Sequence, residues 1–283
     1  MKIAVKIALL ITVETARGMH TALPRVLDAL HAAQASATVC LHLGRDAGAP
    51  LTGRRRERAR WYGWGSLWRG RVWPGARLDK LAPAALKAIG HAGCVAGLHL
   101  EASRVWRGTL AAQPLAARVA QFRRLAGLAA EAPFTVNLPG GLASWPLLRQ
   151  MQALGVGALT GVPGQHGFLP CHHAELLAVP VLPTSLPNLG DVLRAERGQA
   201  DAAVHTLLSH SAGLAGPALC WLDAERIGGV WQAEFARLLA GWREQGHVLC
   251  AVSDSLLTHA VLPHAELEIS PRLALRQGAT RFA

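Results

Sequence analysis

Short apolar runs rich in β-branched residues alternate along this chain with stretches whose apolar side chains recur every three or four positions. Residues 5–13 predict a first strand, and residues 20–34 a helix with Leu23, Val26, Leu27 and Leu30 on one face. A second strand is expected at 37–43, a short helix with proline in its first turn at 83–92, and a third strand at 94–100. Residues 114–130 form the next helical pattern, with Leu115, Val119, Phe122 and Leu125 in register. Strands at 134–138 and 156–162 then bracket a helix at 142–154, and later strands fall at 179–182, 218–222 and 248–252, separated by helices near 191–208 and 231–245. Strand–helix repetition of this kind predicts parallel strands joined by helical crossovers. About seven units favour a closed or nearly closed barrel over an open sheet. Such a barrel gathers its site at the carboxyl ends of the strands, where Glu14, His99, Gly140, Gly161 and Asp223 fall.

One segment breaks the alternation. Residues 45–80 form a long insertion after the second strand, carrying Arg54, Arg55, Arg56, Arg58, Arg60, Arg69, Arg71, Arg77 and Lys80. Trp61, Tyr62, Trp64, Trp68 and Trp73 are interleaved with them. Indoles at headgroup depth with arginines on lipid phosphates make an interfacial surface. The same ingredients suit a lid capping the barrel, or stacking and phosphate contacts on single-stranded nucleic acid, which is the reading we favour least. The expected layout is one domain over 1–260, insertion included, followed by a tail at 261–283.

Composition bounds these readings. Of 283 residues, 51% are hydrophobic and 17% charged, enough for a sizeable core and against disorder. Uninterrupted apolar runs such as 7–11 are far short of a bilayer crossing. The first thirteen residues superficially resemble a secretion signal, but Lys6 interrupts them, Glu14 follows at once, and no small-residue cleavage site appears. The five cysteines, Cys40, Cys94, Cys171, Cys220 and Cys250, are odd in number and lack paired spacing, as reduced core thiols in a cytoplasmic protein would be. A net charge of +11 favours an anionic partner: nucleic acid, acidic headgroups or a phosphorylated substrate.

Three stretches resemble a known family. Residues 11–27 keep its strand–turn–helix, including Thr15, Arg17-Gly18 and Leu23-Pro24-Arg25. Trp61-Tyr62-Gly63-Trp64 through Trp73-Pro74-Gly75 match its landmarks around the lid, and Gly97-Leu98-His99 through Trp106 its metal-binding strand end. Weaker agreement at Asp223-Ala224-Glu225 and Phe235 extends the match over roughly residues 5–258. The chain thus resembles the NodB-homology polysaccharide deacetylases, and most nearly the 4-deoxy-4-formamido-L-arabinose-phosphoundecaprenol deformylases. The resemblance implies a distorted (β/α) barrel and metal-assisted amide hydrolysis. A divalent ion (Zn, Mn or Co) held by one Asp and two His activates water, a second Asp is the general base, and a His protonates the departing amine.

Carried over residue by residue, those roles are degraded. The base position is Thr12, which accepts no proton near neutral pH. The metal-ligating Asp becomes Glu14, one methylene longer and displaced by about 1.5 Å. The paired histidine ligands become His99 and Ser103. The family's Arg falls on Leu142, its Asp after the fifth strand on Gly161, and its leaving-group His on Asp223. General acid and base contribute roughly 10²–10⁴-fold each, so their joint loss predicts a pseudoenzyme needing no cofactor. The expected partners are a polyprenyl-phosphate-linked amino sugar, an anionic membrane surface at the inner face of the inner membrane, and an active deformylase paralogue. An active hydrolase with an altered metal site is the alternative. His166, Cys171, His172 and His173 form a separate candidate metal cluster, against which stands the adjacency of two of its histidines. Asp223 with Glu225 is a candidate carboxylate pair, Asp223 with His99 a candidate acid–base couple, and Ser253-Asp254-Ser255 a candidate helix cap.

Overall fold

The computed structural model describes residues 4–46, 75–100, 112–141, 144–256, 261–269 and 275–281. Strand β1, Lys6–Val13, is buried along nearly its whole length, as a strand covered on both faces must be. On its two edges and beside it lie β2 (Thr38–His42), β3 (Val95–His99), β4 (Thr135–Asn137), β5 (Ala158–Thr160), β8 (Ala218–Asp223) and β9 (Val248–Cys250). These seven run parallel in the order β5-β4-β3-β2-β1-β8, with β9 also on β1.

The sheet closes through residues 180–186. Leu159 N–H donates to Pro180 O at 2.8 Å and Leu182 N–H to Leu159 O at 2.8 Å; on the other side Ser185 and Leu186 N–H reach Leu219 O at 3.2 and 3.1 Å. This is the strand expected at 179–182, reduced to isolated bridges at Val181. Pro180, Pro183 and Pro187 each remove a donor, so no continuous ladder forms there. The result is the expected distorted barrel.

Alternation sorts β1 between two cores. Ile7, Leu9, Ile11 and Val13 join the main core of helices and outer sheet face, whereas Ala8 and Leu10 pack with Cys40, Ala158, Leu182, Leu219 and Val252 inside the barrel. Helix α1, Leu23–Ala32, buries Leu23, Val26, Leu27 and Leu30, the stripe read from the sequence. Among the described residues the further α-helices are α2 (Ala82–His91), α3 (Ala112–Ala126), α4 (Trp145–Ala153), α5 (Leu189–Ala195), α6 (Ala200–Ala212), α7 (Ala224–Ile227), α8 (Gln232–Glu244) and α9 (Val252–Leu256). The single helix expected near 191–208 is thus two, broken where Arg197 and Gly198 take positive φ of 53° and 84°. Ser253-Asp254-Ser255 lies within α9 rather than capping it.

A second sheet, not anticipated, has the order β11-β10-β6-β7. Strands β6 (Leu169–His172) and β7 (Glu175–Leu176) form a hairpin; β10 (His264–Ile269) pairs with β6 in parallel and with β11 (Leu275–Arg281) antiparallel. The segment expected as a tail therefore carries two paired strands.

The basic, Trp-rich part of the insertion, with Arg54, Arg55, Arg56, Trp61, Trp64, Trp68, Arg69, Arg71 and Trp73, lies outside the described residues, as do Ser103 and Leu142. Its two ends meet. Arg45 and Arg77 form an antiparallel bridge, and Asp46 N–H donates to Ala76 O at 2.8 Å.

Candidate functional site

Parallel register delivers one polar row to the carboxyl mouth of the barrel. His42 pairs with His99, His99 with Asn137, and Asn137 with Thr160. Thr12 is level with Cys40, so Glu14, one step beyond the end of β1, extends the row on the other side of His42. His42, His99, Asn137 and Thr160 are all buried, whereas the Glu14 side chain keeps 35% of its surface exposed.

Hydrogen bonds link four of the five. Thr160 Oγ1 donates to Asn137 Oδ1 at 3.0 Å, Asn137 Nδ2 lies 2.9 Å from His99 Nδ1, and His99 Nε2 lies 3.2 Å from Glu14 Oε1. The His42 ring meets His99 edge-on, 6.4 Å between centroids. Burial pushes the Glu14 carboxyl up, but the His99 hydrogen bond and the positive potentials of His99, His42 and Arg226 outweigh it and leave the group below its ordinary value.

Thr12 is committed elsewhere. Its hydroxyl accepts from Trp221 Nε1 at 3.2 Å and donates to Leu222 O at 3.5 Å. A carboxylate at this position would be a base; the hydroxyl is a tie between β1 and β8.

Beneath Glu14 sits a second acidic group. Glu225 Oε1 accepts from Glu14 N–H, Thr15 N–H and Thr15 Oγ1, each at 2.9 Å. Thr15 Oγ1 in turn accepts from Gly18 N–H at 2.9 Å, and Asp46 Oδ2 accepts from Ala16 N–H at 3.1 Å. Two carboxylates thus hold the turn that aims Glu14, and Gly18 must lack a side chain because a Cβ would overlap Glu225. Burial, then the charge of Asp223 and a hydrogen bond with it, push the Glu225 carboxyl well above its ordinary range. Asp223, 8% exposed, pairs with Arg226 Nε at 3.2 Å, and the guanidinium lies over the Trp231 ring at 5.4 Å. Asp223 is therefore buried and ion-paired, and it forms the anticipated pair with Glu225.

The structure brings Glu14 and His99 together. It places Asp223 at the same mouth, on the strand that also carries Trp221. At Gly161, φ is +90° and an added Cβ would overlap Leu138 O and approach Asn137 Oδ1 at 2.8 Å, so no side chain fits. The neighbouring Thr160 occupies the row instead. His42, Asn137, Thr160, Trp221 and Arg226 escape the motif reading. The period-two alternation of each strand marks His42, Asn137 and Thr160 once its carboxyl end is fixed.

Among the described residues, the metal that such a fold implies finds no complete cage. Among the described residues no three His, Cys, Asp or Glu side chains converge for an ion, which also removes the cluster proposed at His166, Cys171, His172 and His173. Glu14 and His99 are in direct contact, His99 Nε2 lying 3.2 Å from Glu14 Oε1. Two donors alone hold a divalent ion poorly.

No family model matches the chain. Solved structures do match its shape. A putative polysaccharide deacetylase from Mycobacterium smegmatis aligns with TM-score 0.62 at 12% identity, over 90% of this chain and 89% of that one. A CE4 family pseudoenzyme from Bacillus anthracis aligns with TM-score 0.52 at 13% identity, over 90% of this chain and 66% of that one. A family 4 acetyl xylan esterase from Clostridium thermocellum, in complex with a cobalt ion, gives 0.52 at 11% identity, over 89% and 90%. A 4-alpha-glucanotransferase from Thermococcus litoralis gives 0.54 at 14%, over 95% of this chain and 42% of that one. Likeness at such identities is likeness of fold, and the fold carries more than one chemistry. This chain has the distorted barrel of the CE4 polysaccharide deacetylases, whose solved examples include enzymes and a pseudoenzyme.

Proposed function

We propose that this protein is a non-catalytic relative of the deacetylases, which binds an N-acylated amino sugar at the barrel mouth without hydrolysing it. The observation that carries this is the direct contact of His99 with Glu14. The one surviving imidazole ligand lies against the one surviving carboxylate, while Thr12, in the base position, is tied to Trp221 and Leu222. The binding partner would be a polyprenyl-phosphate-linked amino sugar, in envelope-glycan or lipid A modification. The role would be accessory to an active deformylase paralogue at the inner face of the inner membrane. Supporting the lipid side is the arginine- and tryptophan-rich insertion, rooted beside Glu14 through Asp46. Among the described residues no helix is long and apolar enough to cross a membrane, so attachment would be peripheral.

The test is a formate- and acetate-release assay on N-acylated amino sugars with added Zn²⁺, Mn²⁺ or Co²⁺, beside binding of the same sugars by calorimetry. Binding without turnover is expected. Turnover that depends on an added metal would overturn the reading in favour of an active hydrolase. One observation favours that rival: two ligands about 2.1 Å from a tetrahedral ion lie roughly 3.4 Å apart, close to the 3.2 Å between Glu14 and His99. In the pseudoenzyme Thr12→Asp with Ser103→His should restore metal binding first. A mutant of the Bacillus anthracis pseudoenzyme with restored enzymatic activity is a precedent for such latency.

A further inference from the structure

The row at the mouth is a circuit of donors and acceptors, and for a neutral His99 ring the shorter contacts favour one polarity. The Thr160 hydroxyl has two acceptors in reach, Val136 O at 3.4 Å and Asn137 Oδ1 at 3.0 Å, and the shorter contact is to the amide. With Oδ1 accepting, Asn137 presents its Nδ2 donor to His99 Nδ1 at 2.9 Å. His99 Nδ1 then accepts, the ring proton sits on Nε2, and that N–H meets Glu14 Oε1 at 3.2 Å. In a neutral ring, reversing the amide would put a proton on Nδ1 and turn the Nε2 lone pair toward the Glu14 carboxylate. Two acceptors would then face each other, an arrangement that a cation between them relieves. The reversed circuit is the one a metal-binding histidine uses, its outer nitrogen donating to an oxygen.

We propose that Asn137 and Thr160 are positioning residues that hold His99 as an Nε2–H donor to Glu14 and thereby keep a divalent cation out of the barrel mouth. Both are buried, Thr160 completely, so solvent does not compete for the amide. The inference rests on the mismatch between this donor set and a metal, and not on the glycan reading, so either can fail alone.

Long-range ¹H–¹⁵N correlation spectra of the full chain at mildly alkaline pH read the His99 tautomer directly. Titration with Co²⁺, followed by its visible absorption, reads the closure. Wild type is expected as the Nε2–H tautomer with no Co²⁺ spectrum. Asn137→Asp offers Nδ1 an obligate acceptor; the tautomer should switch and Co²⁺ affinity rise by about 10–100-fold, the scale of such partners at metal sites. Thr160→Val adds no charge and removes only the donor that orients the amide. It should give mixed tautomers and a smaller gain, and it carries the test if Asn137→Asp fails to fold. The proposal is overturned by an Nδ1–H tautomer in wild type, by wild type binding Co²⁺ as tightly as Asn137→Asp, by a switched tautomer without any gain in affinity, or by a Thr160→Val tautomer unchanged from wild type.

Discussion

Glu225 holds three donors from one oxygen while wholly buried, so its removal strands all three. Glu225→Ala should destabilise by about 2–4 kcal/mol, the scale for breaking a buried polar network, measured by urea unfolding. Glu225→Gln keeps an acceptor for those donors and should cost far less. The pair also separates a charge effect. A carboxyl whose folded pKa lies above its ordinary 4.5 binds more protons folded than unfolded, so its contribution is complete below 4.5 and is lost as pH rises through the folded value. Wild-type stability should therefore fall over that window, and Glu225→Gln should flatten the fall. Glu14, lowered from 4.5, works the other way: its contribution is present above 4.5 and lost as pH falls through its folded value. Gly161 gives a third residue-level outcome. Its positive φ and the overlap of any Cβ with Leu138 O predict a loss of about 3 kcal/mol or more for Gly161→Asp, read as a drop in thermal midpoint. A family carboxylate cannot be reinstated there, and Gly161→Asp that folds as stably as wild type would refute the local geometry.

Among the elements, the β6–β7 hairpin is held by side chains rather than by its turn. His173 and Ala174, the two turn residues, take φ of 49° and 63°, conformations that glycine and asparagine enter far more easily. What secures the hairpin is Glu175, which accepts from Trp145 Nε1 at 2.7 Å and Arg149 Nε at 2.6 Å, with a second contact from Arg149 Nη2. Ala174→Gly should stabilise by up to about 1 kcal/mol through relief of the left-handed backbone, measured as a shift in urea midpoint at constant slope. The same hairpin marks the edge of what the sequence discloses. Strands β1 to β5 are legible because each is a compact apolar run, and helices of clear periodicity come after β1, β3 and β4. β6 is four residues with an internal Pro170, and β7 is two, too short for any period to register. β10 does alternate, burying Ala265 and Leu267 around Glu266, but it follows Pro263 and pairs with a strand nearly a hundred positions earlier. Site residues divide likewise. Glu14, His99 and Asp223 sit in recognisable motifs, whereas alternation marks His42, Asn137 and Thr160 only as one face of each strand, and sheet register is what makes them a row.

At the scale of the whole molecule, the barrel and its charge are separable. Residues 47–74 hold seven arginines and one glutamate, so replacing them with a short glycine–serine linker takes the net charge from +11 to +5. The two ends of this excursion are already bridged at Arg45 and Arg77, with Asp46 and Leu78 N–H bonded to Ala76 O and Gly44 O. A linker therefore joins points that the barrel itself brings together, at small loop-closure cost. The shortened protein should keep its thermal midpoint within a few degrees. What it should lose is retention by vesicles containing acidic phospholipid, because arginine–phosphate attraction near a charged surface acts within about 10 Å at 0.1 M salt. Wild type should sediment with acidic vesicles, release as salt rises, and ignore neutral ones. If the shortened chain sediments as well as wild type, the lipid-facing role belongs to some other surface. If wild type is held equally by neutral vesicles at high salt, the attraction is not electrostatic, and the excess of arginine in this segment needs a different partner.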